Sequence, residues 1–166
     1  EAYSILPHYI KDEYSLVIVG GKGWGKENVE SIAENLDIKK YVKILGYLSD
    51  KDLAKTYQNA SILVMPSLYE GFGLPLLEAM NAEVPVVTSN ISSMPEIVGK
   101  AAILVDPYDV NSIKEGMIKV LTDLNLRSSL SKKGLKQSKN FSWKKAAEKT
   151  MLVFTAAISS QQGNNF

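Results

Sequence analysis

Two glutamates, Glu70 and Glu78, flank a glycine-rich turn and carry the clearest chemistry in the sequence. The turn follows the apolar run 62–65, and Pro75 stands where the first turn of a helix tolerates a residue without an N–H group. A helix that begins behind a glycine turn offers free backbone N–H groups and its positive dipole end to an anion. Carboxylates do not bind phosphate, but they accept hydrogen bonds from hydroxyl groups. The segment therefore indicates a ligand that carries both groups, such as a nucleotide or a sugar phosphate.

A second glycine cluster, residues 20–26, follows the apolar run 16–19. Its spacing approaches the phosphate-binding loop of nucleoside triphosphatases, but Glu27 stands where that motif needs a Ser or Thr for magnesium. The dinucleotide-binding pattern also fails, because Lys26 occupies its third glycine position. We interpret the cluster as a turn that lets a ligand approach the backbone, with Lys22 available to a phosphate.

Composition restricts the classes of function. The 166 residues suffice for one buried domain, which we place at residues 1–160 with a frayed polar tail at 161–166. A net charge of +1 favours neither a nucleic-acid nor a membrane partner. The absence of cysteine excludes disulfides and thiolate metal sites, and the single histidine, His8, allows no Ser-His-Asp triad or histidine metal cluster. No apolar run approaches the ~20 residues that span a bilayer, and we expect an excised domain.

Short apolar runs alternate with longer amphipathic segments along the chain. The near-continuous apolarity of the short runs indicates strands buried on both faces, as in a parallel sheet. The predicted strands are residues 16–19, 42–45, 62–65, 84–88 and 102–105. The predicted helices are residues 2–10, 27–36, the segment that Ser49 caps, and residues 74–82, 110–121, 126–137 and 143–158. This alternation predicts an α/β fold, a Rossmann-like doubly wound parallel sheet of about five or six strands.

Ligands bind such a sheet at the carboxyl ends of its strands. Three features follow successive predicted strands: the glycines of residues 20–23, the pair Gly46-Tyr47, and the turn at Glu70. Glu78 lies one turn inside the next helix among apolar neighbours, so its carboxylate should face the cleft and not the core. We therefore expect these features to share one edge of the sheet.

The segment from Glu70 to Met80 resembles the E-x7-E signature of glycosyltransferase family 4. This family contains retaining, nucleotide-sugar-dependent transferases with the GT-B fold. Residues 84–89, 95–99, 104–107 and 141–143 are also similar to segments of that family. The resemblance covers essentially the whole chain.

By this resemblance the chain corresponds to the second, donor-binding domain of a two-domain GT-B enzyme. Glu70 would contact hydroxyl groups of the transferred sugar as the catalytic carboxylate, and Glu78 would hold the ribose hydroxyls. Backbone N–H groups of residues 71–74 would receive the diphosphate, and Tyr47 would border the base. The implied donor-binding residues are Gly20, Gly21, Lys22, Tyr47, Glu70, Gly71, Phe72, Gly73, Leu74 and Glu78. No metal or other cofactor is implied, since fixed dipoles and basic side chains usually stabilise the leaving diphosphate in GT-B enzymes.

Two features depart from the family pattern. Glu83 stands where the family usually has a small residue, often glycine, so that turn differs locally. The family's basic pair for the donor phosphates precedes the first helix, on a segment that this sequence does not contain. The acceptor-binding groups belong to the missing N-terminal domain. We therefore expect the fragment to bind a nucleotide weakly and to be inactive by itself.

The implied enzyme moves a hexose from a nucleotide diphosphate sugar to a sugar or lipid acceptor with retention of configuration. We expect it to be cytoplasmic, with peripheral membrane association open to the intact enzyme, no transmembrane segment and no nucleic-acid partner. Two alternatives stay open. One is a GT-B-like nucleotide-sugar epimerase, and the other is a non-catalytic nucleotide-binding or interaction module.

Overall fold

The computed structural model of the protein describes residues 1–21 and 28–162. Five parallel strands alternate with helices along this part of the chain. The strands are β1 (Leu16–Val19), β2 (Val42–Gly46), β3 (Leu63–Met65), β4 (Val86–Ser89) and β5 (Ala102–Val105). The helices are α1 (His8–Glu13), α2 (Val29–Asn35), α3 (Asp50–Gln58), α4 (Leu74–Asn81), α5 (Met94–Val98), α6 (Val110–Thr122), α7 (Leu124–Ser138) and α8 (Trp143–Gln162), with a 3₁₀ turn at Lys39–Tyr41. The predicted α/β class with parallel strands is confirmed.

The strands are divided between two sheets, whereas the sequence predicts one. In the first sheet β1 pairs with β2, and Leu16 lies opposite Val42. In the second, β4 lies between β3 and β5, with Leu63 opposite Val86. The two sheets do not join, and residues of both β1 and β3 line an open cavity of about 730 Å³. Each of these two strands therefore has one edge without a neighbour in the described chain.

Helices cover both faces of the second sheet. The side chains of successive β4 residues therefore pack in different hydrophobic clusters. Val87 packs in the cluster that contains residues of α1 and α6. Val86 packs in the other, with residues of α4 and α5. All four residues of β4 are buried, as expected for the central strand of a doubly covered parallel sheet.

Proline accounts for two of the differences from the predicted boundaries. The fourth strand is predicted from residue 84 but begins at Val86, because Pro85 has no N–H group for the ladder. Pro85 instead contributes its carbonyl oxygen, which accepts a hydrogen bond of 2.9 Å from the Leu63 N–H. Likewise, Pro7 divides the predicted first helix into a turn and the short helix α1.

The C-terminal helix α8 is exposed along the described side chains 143–159, including Trp143. Phe141, just before it, is half-buried and meets the Phe72 ring edge-on at a centroid distance of 5.8 Å. Residues 163–166 of the predicted tail and residue 27 of the predicted second helix lie outside the described residues. No helix of the described chain combines the length and the apolar character that a membrane crossing requires.

Gly116 lets α6 approach the sheet closely, and its replacement should destabilise the fold. A Cβ atom placed on Gly116 would lie 2.6 Å from Val105 Cγ1 and 3.1 Å from Val87 Cγ1. Overpacking costs ~1–3 kcal/mol, and a contact of 2.6 Å places this site in the upper half of that range. Alanine's helix propensity returns ~1 kcal/mol. We therefore expect Gly116→Ala to lower the free energy of unfolding by about 1–2 kcal/mol in urea titrations.

Gly134→Ala is the matched control in a second helix. Its Cβ would lie 3.1 Å from Met80 Cγ, so that neighbour needs to move by only a few tenths of an ångström, and alanine's helix propensity of ~1 kcal/mol offsets the cost. We expect a change close to zero. Equal stability of the Gly116→Ala variant and the wild-type chain would contradict this account of the α6 contact.

Candidate functional site

The loop between β3 and α4, residues 66–73, holds Glu70 in a defined position. The Ser67 hydroxyl donates a hydrogen bond of 3.0 Å to Glu70 Oε1. Glu70 is half-buried, and its other carboxylate oxygen, Oε2, has no hydrogen-bond partner among the described residues. One oxygen is thus fixed by the protein, and the other is free to accept a hydrogen bond from a ligand.

Two serines in the turn after β4 fix the backbone of the same loop. Ser92 Oγ accepts from the Glu70 N–H at 3.2 Å and lies 3.0 Å from the Glu70 carbonyl oxygen, to which it can donate. Ser93 Oγ lies 3.0 Å from the Glu70 carbonyl oxygen and 3.1 Å from that of Phe72, so its single proton is shared. These contacts join segments that are 21 to 23 positions apart. The backbone of the loop is therefore held by hydrogen bonds to the turn after β4.

Gly73 turns the chain into α4 and leaves the first N–H groups of the helix open. It is buried and left-handed, with φ of +95°. No side chain caps α4, and within the described residues no acceptor meets the N–H groups of residues 71–74. Unpaired N–H groups at the positive end of a helix dipole form an anion site.

Glu78 lies one turn inside α4 and is exposed, so its side chain is outside the core. The Tyr57 hydroxyl donates a hydrogen bond of 3.1 Å to Glu78 Oε2. Burial, reinforced by the adjacent Glu78 carboxylate, raises the pKa of Tyr57. The phenol therefore stays protonated at neutral pH and keeps orienting the carboxylate, which lines the open cavity between β1 and β3.

Gly20, which follows β1, and Gly46, the last residue of β2, lie side by side at the carboxyl ends of these strands. The Gly20 N–H donates to the Gly46 carbonyl oxygen at 2.9 Å, and both residues have positive φ angles. Tyr47 follows with 87% of its surface exposed, and Gly21 is also exposed. Within the described chain, no hydrogen bond links this pair of turns to the Glu70 loop. The predicted phosphate contact, Lys22, lies outside the described residues.

The serines that support the loop are not among the site residues that the sequence predicts. Ser67, Ser92 and Ser93 contact it directly, and the hydroxyl of the buried Ser89 donates to the Ser67 carbonyl oxygen. The sequence does contain a signal for them, since four hydroxyl residues fall within positions 88–93, at and after the end of an otherwise apolar strand. Because β4 pairs in parallel with β3 in this fold, that segment lies beside the loop that follows β3.

The arrangement combines three capacities at one edge of the fold. Open N–H groups at the start of α4 can receive phosphate oxygens. Glu70 and Glu78, at the two ends of that segment, can each accept hydrogen bonds from hydroxyl groups. A ligand with a phosphate group between two polyhydroxylated groups matches this order.

Comparisons with known proteins give the chain a family context. The family model for glycosyl transferases group 1 matches residues 1–137. The chain is 40% identical over 154 residues to O-antigen chain mannosyltransferase B of Escherichia coli, covering 93% of this chain and 40% of that protein. It is 36% identical over 163 residues to the serotype-specific mannosyltransferase WbdA of Escherichia coli, covering 97% of this chain and 20% of that protein.

The fold also matches solved structures. The model superposes on HepE of Anabaena, solved in complex with UDP-glucose, with a TM-score of 0.81 at 18% identity. The match covers 93% of this chain and 43% of that one. This likeness supports the predicted GT-B half-fold. The chain spans less than half the length of each of these three proteins.

Gly73→Ala should destabilise the loop through its backbone conformation. Alanine would be strained at φ +95°, and its Cβ would lie 3.1 Å from Leu76 Cδ1. We expect a loss of about 1–3 kcal/mol in the free energy of unfolding, measured in urea.

Gly71→Ala is the control, because a Cβ at Gly71 finds nothing within 4 Å. It should change stability by less than ~0.5 kcal/mol. Equal losses in the two variants would show that the conformation of Gly73 does not stabilise the loop.

Proposed function

The chain belongs to the family of glycosyl transferases group 1, and on that premise we propose that it is the donor-binding domain of a retaining glycosyltransferase. The intact enzyme moves a hexose from a nucleotide diphosphate sugar to a sugar or lipid acceptor. The observation that carries the proposal is the Glu70–Glu78 segment, where open N–H groups lie between two oriented carboxylates.

Each part of the segment has one role in holding the donor. The N–H groups of residues 71–74 bind the diphosphate, since the start of α4 presents them without a competing acceptor. Glu78 accepts hydrogen bonds from the ribose hydroxyls, and Tyr57 orients its carboxylate. Glu70 binds hydroxyls of the transferred sugar through the oxygen that Ser67 leaves free.

In this proposal the start of α4, and not a metal ion, stabilises the leaving diphosphate. As the bond between sugar and phosphate breaks, negative charge grows on the diphosphate. Fixed N–H dipoles at the start of α4 stabilise that charge and need no reorganisation. Gly20 and Gly21 let the donor approach the backbone, Tyr47 borders the base, and Lys22 meets a phosphate oxygen.

Mannose is the hexose to test first. Two curated relatives, at 40% and 36% identity, are named as mannosyltransferases. The names concern those proteins, and the sugar bound by this chain depends on its own contacts with the donor. A panel of donors is therefore required.

In this proposal the 166-residue chain forms only part of the enzyme. Because the chain corresponds to 40% of the length of the first relative, we place the acceptor-binding groups in the remainder, in an N-terminal domain. The 166-residue chain then binds nucleotide weakly and transfers no sugar. The cytoplasmic location and the peripheral membrane contact remain predictions from the sequence.

Removing the charge of Glu78 should weaken nucleotide binding. Hydrogen bonds to a charged group contribute ~1.5–3 kcal/mol, so we expect about 10- to 100-fold weaker binding of the preferred nucleoside diphosphate by Glu78→Gln. Isothermal titration calorimetry with UDP, GDP and ADP would identify that nucleotide and measure the change.

Glu96→Gln is the matched control for that titration. Glu96 is exposed in the first turn of α5, outside the Glu70–Glu78 segment, and its substitution should leave affinity unchanged. If Glu78→Gln bound the nucleotide as tightly as Glu96→Gln, the ribose role would be excluded and a simple interaction module favoured.

In the intact enzyme, Glu70→Gln should reduce sugar transfer more than nucleotide binding. Loss of a charge-assisted contact to the transferred sugar should lower kcat/KM by about 10- to 100-fold. NMR of the product should show the anomeric configuration of the donor sugar. Inverted product, or epimerised donor without transfer, would overturn the proposed reaction.

A further inference from the structure

The hydroxyl groups of Ser92 and Ser93, in the turn between β4 and α5, contact carbonyl oxygens of the loop that carries Glu70. Both Oγ atoms lie 3.0 Å from the Glu70 carbonyl oxygen. Ser93 Oγ also lies 3.1 Å from the carbonyl oxygen of Phe72. A carbonyl oxygen is only an acceptor, so the serine hydroxyl groups are the donors in these contacts. Two hydroxyl protons therefore serve two carbonyl oxygens.

The same two peptide units carry N–H groups of the proposed diphosphate site. The Glu70 carbonyl group shares its peptide unit with the Gly71 N–H. The Phe72 carbonyl group shares its own with the Gly73 N–H. In a planar trans peptide the C=O and N–H bonds point in opposite directions, so a serine that holds the oxygen directs the N–H group away from the turn. A carbonyl group that accepts a hydrogen bond also polarises its peptide, which makes the N–H group a stronger donor.

Ser92 makes its contacts in a strained backbone conformation. Its φ angle is +58°, in the left-handed region that residues other than glycine rarely adopt. Such conformations persist where the surrounding structure determines them, and they cluster at functional sites. At Ser92 the contacts are two hydrogen bonds with the Glu70 backbone, one accepted from its N–H group at 3.2 Å and one donated to its carbonyl oxygen. Glycine would avoid the strain but could make neither side-chain bond.

Ser93 lacks a local hydrogen bond that its position would allow. It stands at the N-cap of α5, where a serine hydroxyl ordinarily accepts from an N–H group of the first turn. The Ser93 side chain makes no such bond to α5 and lies instead against the carbonyl oxygens of the Glu70 loop. Two adjacent serines thus each forgo local stability and contact the same loop.

The turn that carries the serines is itself held in place. The Asn90 N–H donates to the Val105 carbonyl oxygen at 2.9 Å, which ties the start of the turn to β5. Met94 directly follows the two serines and is fully buried among residues of α4 and α5. The serine hydroxyl groups therefore lie between a fixed strand end and a buried side chain.

We propose that Ser92 and Ser93 are positioning residues that aim the Gly71 and Gly73 N–H groups at the diphosphate of the donor. The inference rests on the proposed function, which assigns these N–H groups to the diphosphate. In this role the serines act through the loop and not on the ligand. Donors that are fixed before binding spare the cost of ordering the loop when the ligand arrives, and this gain offsets the strain at Ser92.

Two substitutions of Ser92 separate positioning from stability. Ser92→Ala removes both hydrogen bonds and keeps the strain, so the thermal midpoint of the intact chain should fall by about 2–6 °C. Ser92→Gly removes the same bonds but relieves the strain, so its midpoint should stay closer to that of the wild-type chain. Calorimetry with whichever of UDP, GDP and ADP the wild-type chain prefers should show about 3- to 10-fold weaker binding by both variants. Weaker binding by Ser92→Ala alone would follow stability and overturn the proposal.

Ser93 offers a conservative variant as well as a loss of function. Ser93→Ala should bind the same nucleotide about 3- to 10-fold more weakly, whereas Ser93→Thr keeps the hydroxyl group and should bind as the wild-type chain does. Ser112→Ala is the matched control, because Ser112 Oγ accepts from the Asp106 N–H at 3.0 Å in a turn outside the loop. It should leave affinity unchanged. Equal affinities of Ser93→Ala and Ser112→Ala would overturn the role of Ser93.

Nuclear magnetic resonance of the free protein tests the positioning without a nucleotide. Isotopic labelling of glycine alone reports on the Gly71 and Gly73 amides in the intact chain. Their order parameters should be near ~0.85 in the wild-type chain and fall toward ~0.6 in Ser92→Gly and Ser93→Ala. Unchanged order parameters in both variants would overturn the positioning role even if the wild-type chain binds the nucleotide. Ordered amides in a wild-type chain that binds none of the three nucleotides would instead overturn the proposed function, and with it the inference, so the two failures are distinguishable.

Discussion

Two buried hydroxyl groups at the end of β4 set the geometry on which the site depends. Thr88 and Ser89 are fully buried, and a buried hydroxyl must find a hydrogen-bond partner. Thr88 donates to the Met65 carbonyl oxygen at 2.8 Å, and Ser89 donates to that of Ser67. These bonds fix the end of β3 and the start of the loop that carries Glu70. The hydrogen bonds that satisfy these two buried hydroxyl groups therefore also fix the position of the loop that carries Glu70.

Further hydrogen bonds and one glycine turn then position the rest of the site, from Glu70 to the start of α4. Ser67 orients the carboxylate of Glu70, and Ser92 and Ser93 hold its backbone. The left-handed Gly73 then turns the chain so that α4 begins with open N–H groups. A preformed loop avoids the free-energy cost of ordering the backbone when the ligand binds. A diphosphate would therefore meet donors that are already in place.

The sequence predicted the features that depend on local patterns. Strands β1 and β5 have their predicted bounds, and Ser49 caps α3 through the Asp52 N–H. It did not predict the serine contacts, because they join segments more than 20 positions apart whose proximity depends on strand order. Nor did it predict the separation of β1 from β3, since an apolar run does not show which strand lies beside it.

The central claim is that the start of α4 holds the diphosphate of the donor. A crystal structure of the intact chain with its preferred nucleoside diphosphate tests it most directly. We predict phosphate oxygens within ~2.7–3.2 Å of backbone nitrogens of residues 71–74, with a ribose hydroxyl on the Glu78 carboxylate. A diphosphate bound elsewhere, with those N–H groups facing only water, would contradict the account.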